Sequence, residues 1–585
     1  MKEQLIKALN EGLKGLEKKY RTDLFSLKID LTENKEKSFG DYSSNLALVA
    51  SKQLSVDPKK IAEKLLEELV KQDFIERIDV AGPGFINIFL SQASRTEILE
   101  TISKEKNRFG FKVGKNLKKE KILIEYVSSN PTGPLHVGHG RGAAFGSTLS
   151  NIFRANGHEV DEEYYVNDQG RQVDILALSV WFRYLQKFNN KITFPNKCYK
   201  GKYIKLLAKT LEDDFKPSKA EETELLNSLS LDLEEEDLDK LIIKSKEVLN
   251  ERFETIKSFA LNNILKTIKD DLKDFGVAHI NWFKESSMFA SSKNEASQIE
   301  EAISILNKNN YIYKKDGALW FRSTDFDDEK DRVVKRENGL TTYFASDIAY
   351  HANKYKRGYT KIINIWGADH HGYLPRVRAA MAALGEDTNK FEVVFIQFAN
   401  LIRGGKKVSM STRGGDFISL NELIEEVTSE AARFFYINRK GNQHLDFDLD
   451  LAKEESKDNP LYYVQYAHAR ICSVFQKLKE SKRSYKESIA VKSLESLKGE
   501  KEVEIQRLLS QFPEVIARSE KNFEPHLVCY YLRMLAGVFH SYYNSEKILV
   551  EEESELQAKL LMLSAVRQVI FNGLKILGIS APKSM

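Results

Sequence analysis

The sequence predicts an α/β protein in which a parallel, nucleotide-binding sheet is preceded by a small α+β domain and followed by an all-α domain. Three observations predict this. A short, nearly continuous apolar run, Ile122 to Val127, is followed by a polar loop and a helix poor in bulky side chains, the way a buried parallel strand feeds a phosphate-binding helix. Similar runs recur at Glu163 to Val166, Lys361 to Trp366 and Glu392 to Phe398, each followed by polar or Gly-bearing residues. From about Ile424 the apolar spacing becomes three and four, as in Val464, Ala467, Ile471, Val474 and Leu478.

Taken in order, residues 1–115 read as an α+β domain. Leu5, Leu9, Leu13 and Leu16 recur at helical spacing among charges, which describes an amphipathic surface helix rather than the apolar block of a signal peptide. Gly82-Pro83-Gly84 between apolar runs predicts two strands joined by a turn. Residues 116–425 form the nucleotide-binding domain, whose first helix starts near Leu135 and stops at Asn156-Gly157. A charged, largely helical stretch, about 185–310, interrupts it as an insertion, and 426–585 are helical. Three or four units suit 585 residues, since single cores stop growing at roughly 250 to 300.

Composition narrows the class. With 42% apolar and 30% charged residues the chain is foldable, and no run approaches the ~20 apolar residues of a membrane span. A net charge of +4 is too small a balance to indicate nucleic acid by itself. Three widely spaced cysteines suggest neither a disulfide framework nor structural zinc, so a reducing compartment, the cytoplasm, is expected.

The sharpest motif is Asn130-Pro131-Thr132-Gly133-Pro134-Leu135-His136-Val137-Gly138-His139, between strand and helix. A helix N-terminus offers free N–H groups and partial positive charge to phosphates. Residues three apart share a helix face, so His136 and His139 can both donate to one triphosphate, and Gly138 leaves room for a flat adenine.

This element resembles the HIGH signature of class I aminoacyl-tRNA synthetases, which implies a Rossmann-like catalytic domain. The second signature, KMSKS, is resembled imperfectly by Lys406-Lys407-Val408-Ser409-Met410-Ser411-Thr412-Arg413, where the pattern's two lysines fall on Ser409 and Thr412. Three further stretches resemble the bacterial-type arginyl-tRNA synthetases: Glu125 to Asn130, Tyr343 to His351, and Trp366 to Tyr373. A guanidinium is a planar fork of five donors that keeps its proton, so its pocket needs acceptors, preferably carboxylates. The resemblance puts Asp347 and Tyr343 in that pocket, Glu125 and Asn130 at the ammonium and carboxylate ends of L-arginine, and Asp369 and His370 where the site closes. It implies that Pro131, Gly138 and Met410 join the two histidines around ATP, with Lys407, Ser411 and Arg413 serving catalysis from the loop.

Outside the catalytic unit, Phe39 to Asn45 and Ala81 to Asn87 are similar to the family's tRNA-elbow domain, and Tyr462 to Arg470 to the start of its anticodon-binding domain. Tyr462, Tyr466 and Arg470 suit stacking on unpaired bases of tRNA(Arg). The implied reaction joins the arginine carboxylate to the α-phosphate of ATP, with Mg²⁺ on the triphosphate, then passes arginine to a terminal 2′-hydroxyl. The family also implies a monomer and activation that needs bound tRNA. Two rivals stay open: a synthetase for another amino acid, and an inactive RNA-binding relative, which the degraded second signature favours.

Overall fold

The computed structural model describes residues 2–24, 26–34, 36–112, 119–190, 192–211, 235–278, 281–289, 296–408 and 418–585. The first unit packs α1 (Lys2–Tyr20), α2 (Leu46–Leu54) and α3 (Pro58–Leu69) on an antiparallel sheet of order β1-β2-β4-β3 (Leu31–Glu33, Tyr42–Ser44, Phe85–Leu90, Ile75–Ala81). The expected leucine stripe of α1 is the buried face, with Leu5, Leu9, Leu13 and Leu16 all in the core. That core ends at Leu90. The next helix, α4 (Gln92–Glu105), sends Leu99 and Ile102 into the central core instead, so the N-terminal unit closes earlier than residue 115.

The central sheet is wholly parallel, in the order β12-β11-β5-β6-β7 (Phe391–Ile396, Lys361–Gly367, Lys121–Glu125, Glu159–Val166, Asn281–Lys284). Ile122, Leu123 and Ile124 are fully buried, as a strand covered on both faces requires. Helix α5 (Val137–Ala155) connects β5 to β6 and ends at Asn156, before Gly157 at φ +92°.

The stretch expected as an insertion is less separate than its charge suggests. Helices α6 (Arg171–Leu185), α7 (Lys202–Thr210), α8 (Glu235–Leu249) and α9 (Glu251–Asp274) contribute to the central core, and β7 inside that stretch is the edge strand of the main sheet. A four-residue strand among long helices leaves little periodicity to read. After it come α10 (Gln298–Lys308), an antiparallel sheet of β8 (Ile312–Lys315), β9 (Ala318–Phe321) and β10 (Arg332–Lys335), then α11 (Tyr343–Lys356) and α12 (Leu374–Ala383).

Beyond β12, a small sheet of order β14-β13-β15 (Lys406–Lys407, Ala399–Arg403, Leu445–Asp448) leans on α13 (Leu420–Val427), α14 (Ser429–Ile437) and α15 (Leu449–Lys453). Strand β15 corrects the expectation that everything past residue 426 is helical. It pairs parallel to β13 and fixes the helical region to the catalytic unit. The remainder is α16 (Pro460–Glu480), α17 (Glu487–Lys492), α18 (Glu500–Asn522), α19 (His526–Ser545) and α20 (Glu553–Leu577). The predicted α16 stripe, Val464 to Leu478, is buried. Helix α20 is long and apolar enough by composition to cross a bilayer, contrary to the expectation of no such run, yet most of its apolar window lies inside the protein.

Candidate active site

The chain runs outward from β5 through β6 to β7 on one side of the sheet and from β11 to β12 on the other. Loops leaving β5 and β11 therefore diverge, opening the crevice in which parallel sheets bind ligands. A cavity of about 550 Å³ fills it, lined by Asn130, His136, Gly138, His139, Asp369 and His370 among others. The chain enters this crevice under strain: Val127 and Ser128 take φ of +70° and +38°, a region β-branched residues rarely adopt. The bend returns Ser128 Oγ to Glu125 Oε1, 2.9 Å away, and carries Asn130 to the cavity wall.

At the start of α5 the histidines cap the helix. His136 Nδ1 accepts from Gly138 N at 3.0 Å, and His139 Nδ1 accepts from His136 N at 3.2 Å. Their rings stack, with centroids 3.7 Å apart. Burial lowers the His136 pKa and takes His139 down to about 3, so both rings are neutral near pH 7. A neutral imidazole whose Nδ1 accepts carries its proton on Nε2. Each ring thus presents an N–H donor rather than a cation. Gly138 is needed first by its neighbour: a Cβ there would meet His136 Cε1 at 2.8 Å.

Pro131 is buried and not among the cavity-lining residues, whereas Thr132, Gly133 and Pro134 reach it. Asp369 and His370 form an exposed pair, 3.2 Å apart, at the rim. Lys407 lies exposed on β14 and does not line the cavity. Gly404 and Gly405, both at positive φ, make the two-residue turn of the β13–β14 hairpin, a role that accounts for them without a hinge. Met410, Ser411 and Arg413 lie outside the described residues. The residues flanking that segment are anchored: Val408 N donates to Leu401 O, while Val137 N donates to Ile418 O and Leu420 N to Leu135 O, so the chain returns beside His136.

A second, acidic cluster adjoins it through Tyr373 and Trp366. Thr342 caps α11 by accepting from Ala345 N, so Tyr343 and Asp347 share one helix face. Tyr373 donates its hydroxyl to Asp347 Oδ2, and its ring packs against Trp366, which lines the cavity. Burial raises Asp347 to about 6 and Glu285 to about 7, Glu285 being lifted further by Asp347. Among the described residues, neither has a Lys or Arg within ion-pair distance. The other carboxylates do have partners. Glu125 pairs with Lys354 at 2.5 Å, Glu163 with Arg357 at 2.5 Å, and Asp168 accepts from Ser286 N and Oγ at 2.8 and 2.6 Å. Tyr343 is exposed, its hydroxyl beside Gly170. Sequence reasoning missed Glu285, Asp168, Lys354 and Tyr373. Only the aromatic run Trp282-Phe283 could have signalled the strand that delivers Glu285.

On α16, Tyr462 and Tyr466 stack with centroids 5.8 Å apart, and the Arg470 guanidinium sits 4.6 Å from the rings of both Tyr466 and Tyr543. Its Nη1 donates to Asn544 Oδ1 at 3.3 Å. The three expected residues form one half-buried aromatic and cationic surface. Tyr463 tilts onto His540, against which Tyr466 also stacks.

Comparison with known proteins covers nearly the whole chain. Residues 2–90 match the arginyl tRNA synthetase N-terminal domain, 99–447 the class I (R) tRNA synthetase catalytic domain, and 464–585 the DALR anticodon binding domain. The arginine–tRNA ligase of Thioalkalivibrio sulfidiphilus is 46% identical over 565 residues, 95% of each chain. That of Coxiella burnetii is 44% identical over 598 residues, covering 100% of this chain and 99% of its own. The solved arginyl-tRNA synthetase of Thermus thermophilus shares the fold, with a TM-score of 0.72 at 20% identity and full coverage of both chains.

Proposed function

The chain belongs to the arginyl-tRNA synthetases, and from that premise we propose that ATP occupies the cavity over β5 and β11 while the arginine side chain enters the acidic cluster adjoining it. The activity is arginine–tRNA ligation. The observation carrying the division of the site is that the charge of half-buried Asp347 raises buried Glu285 with, among the described residues, no Lys or Arg within ion-pair distance of either. A guanidinium supplies the missing charge and keeps it at any physiological pH. Asp347 and Glu285 take the fork, Tyr343 covers it, and Glu125 and Asn130 hold the amino-acid end toward the cavity.

The arginine carboxylate oxygen attacks the α-phosphorus, forming the adenylate as the bond to the β-phosphate oxygen breaks and pyrophosphate leaves. His136 and His139 donate from Nε2 to phosphate oxygens as charge builds on them. We assign the pyrophosphate to the cations of the second-signature segment, Lys406, Lys407 and Arg413, and give Ser411 and Met410 of that segment roles toward ATP. Mg²⁺ belongs to the substrate, carried on the triphosphate. The terminal adenosine 2′-hydroxyl of tRNA(Arg) then attacks the arginyl carbonyl and AMP departs. Tyr462, Tyr466 and Arg470 bind unpaired tRNA bases. The reading includes a cytoplasmic monomer. Charging of total tRNA with each of the twenty amino acids in turn tests it: arginine alone should be transferred, and transfer of another amino acid, or of none, would overturn it.

A further inference from the structure

Beside the acidic residues lies a buried chain of polar groups whose donors radiate from one lysine. Lys354 is fully buried, its Nζ 2.5 Å from Glu125 Oε2, 2.8 Å from Asn364 Oδ1 and 4.3 Å over the Tyr350 ring. The Asn364 oxygen therefore faces the lysine, and its Nδ2 faces His351 Nε2 at 3.3 Å. His351 Nδ1 lies 2.8 Å from the backbone oxygen of Asp347. A carbonyl only accepts, so Nδ1 carries the ring proton and Nε2 accepts from Asn364. Burial, aided by Lys354, takes His351 down to about 3, consistent with that neutral tautomer. The donors run outward from Lys354: it gives one N–H to Glu125 on β5 and one to Asn364 on β11, Asn364 donates to His351, and His351 donates to the backbone of the first turns of α11.

We propose that Lys354 is a positioning residue of the arginine site: with Asn364 and His351 it ties the Glu125 carboxylate to the helix turn bearing Asp347, fixing the two acidic ends of the substrate pocket relative to each other. This rests on the reading of Asp347 as the guanidinium partner. Lys354 touches no substrate in this scheme. Its own charge is spent on Glu125, which leaves Asp347 and Glu285 for the incoming guanidinium. It is also the cation whose field lowers Asp347 against burial and Glu125. Among the described residues, the other groups facing Asp347 are Tyr373 after β11, Tyr165 on β6 and Glu285 after β7, all neutral or acidic.

The test is steady-state charging by the full chain with tRNA, comparing wild type, Lys354→Met, Asn364→Leu and Asp347→Asn, with melting curves for each. Loss of a group that orients a binding group typically costs about 10- to 100-fold. Lys354→Met should raise KM for arginine by that amount, leave KM for ATP within about twofold, and move the acid limb of kcat/KM for arginine to higher pH, because Asp347 loses its lowering cation. Asn364→Leu keeps both charges and should raise KM for arginine less, with the same indifference toward ATP. Should Lys354→Met fail to fold, Asn364→Leu decides alone. Equal changes in both KM values, or none, in folded variants would overturn the inference while a selective effect of Asp347→Asn left the pocket reading intact. An Asp347→Asn enzyme with an unchanged KM for arginine would overturn the pocket reading, and the inference with it.

Discussion

Replacing Asp347 with Asn should raise KM for arginine far more than KM for ATP, and the geometry narrows the size of the effect. Asparagine is nearly isosteric and its Oδ1 can still accept from Tyr373, so the substitution removes charge rather than position. Stripping one partner from a buried charge pair costs roughly 2 to 5 kcal/mol. Glu285 remains to hold the guanidinium, which puts the loss at the lower end, about 2 to 3 kcal/mol, or roughly 30- to 150-fold in KM. A second signature follows from the coupling between the two acids. Guanidinium binding favours ionised carboxylates, so kcat/KM for arginine should fall as pH drops below about 7 and then about 6, the values of Glu285 and Asp347 in the empty pocket. Without Asp347, Glu285 loses the negative neighbour that raises it, and the acid limb should move to lower pH. The assay is the charging rate at varied arginine and ATP from pH 5.5 to 8.5. Equal KM changes for both substrates, or an acid limb that stays in place, would refute the argument.

Three further outcomes are expected. His139→Ala should lower the charging rate by roughly 10²- to 10³-fold with little change in arginine or tRNA affinity; His136→Ala should do the same and also lose about 1 kcal/mol of stability by melting, because its Nδ1 is the helix cap. Glu285→Gln should stabilise the ligand-free enzyme at pH 8 but not at pH 5. A carboxyl raised by folding weakens the folded state as pH climbs from its unfolded value of about 4.5 through about 7, by on the order of 2 to 3 kcal/mol here; equal melting shifts at both pH values would contradict this. Lys407→Ala combined with Arg413→Ala should abolish rapid pyrophosphate release on the tRNA-bound enzyme, each single change costing less. Unchanged release in stopped-flow measurement would assign the stabilising charge elsewhere.

The sequence alone determined what depends on neighbours along the chain. The buried run at Ile122, the leucine stripe of α1, the α16 period and the strand-to-helix junction at His136 are local patterns, and local hydrogen bonding and burial realise them where they were read. Asp347 is proposed for the site on the same local ground, through a stretch whose order resembles a family. Tertiary structure decided what depends on distant segments meeting. Glu285 comes from a turn after a four-residue strand that no periodicity marks, and it faces Asp347 only because β7 joins the far edge of the sheet. The sequence proposes the histidines as phosphate donors, but their neutral Nε2–H form follows from Nδ1 atoms turned inward on the helix cap. Pairing of Lys354 with Glu125 spans 229 positions. A lysine in a charged helix looks solvated until the sheet is laid across it, because a charge acquires its partner and its desolvation only from the fold.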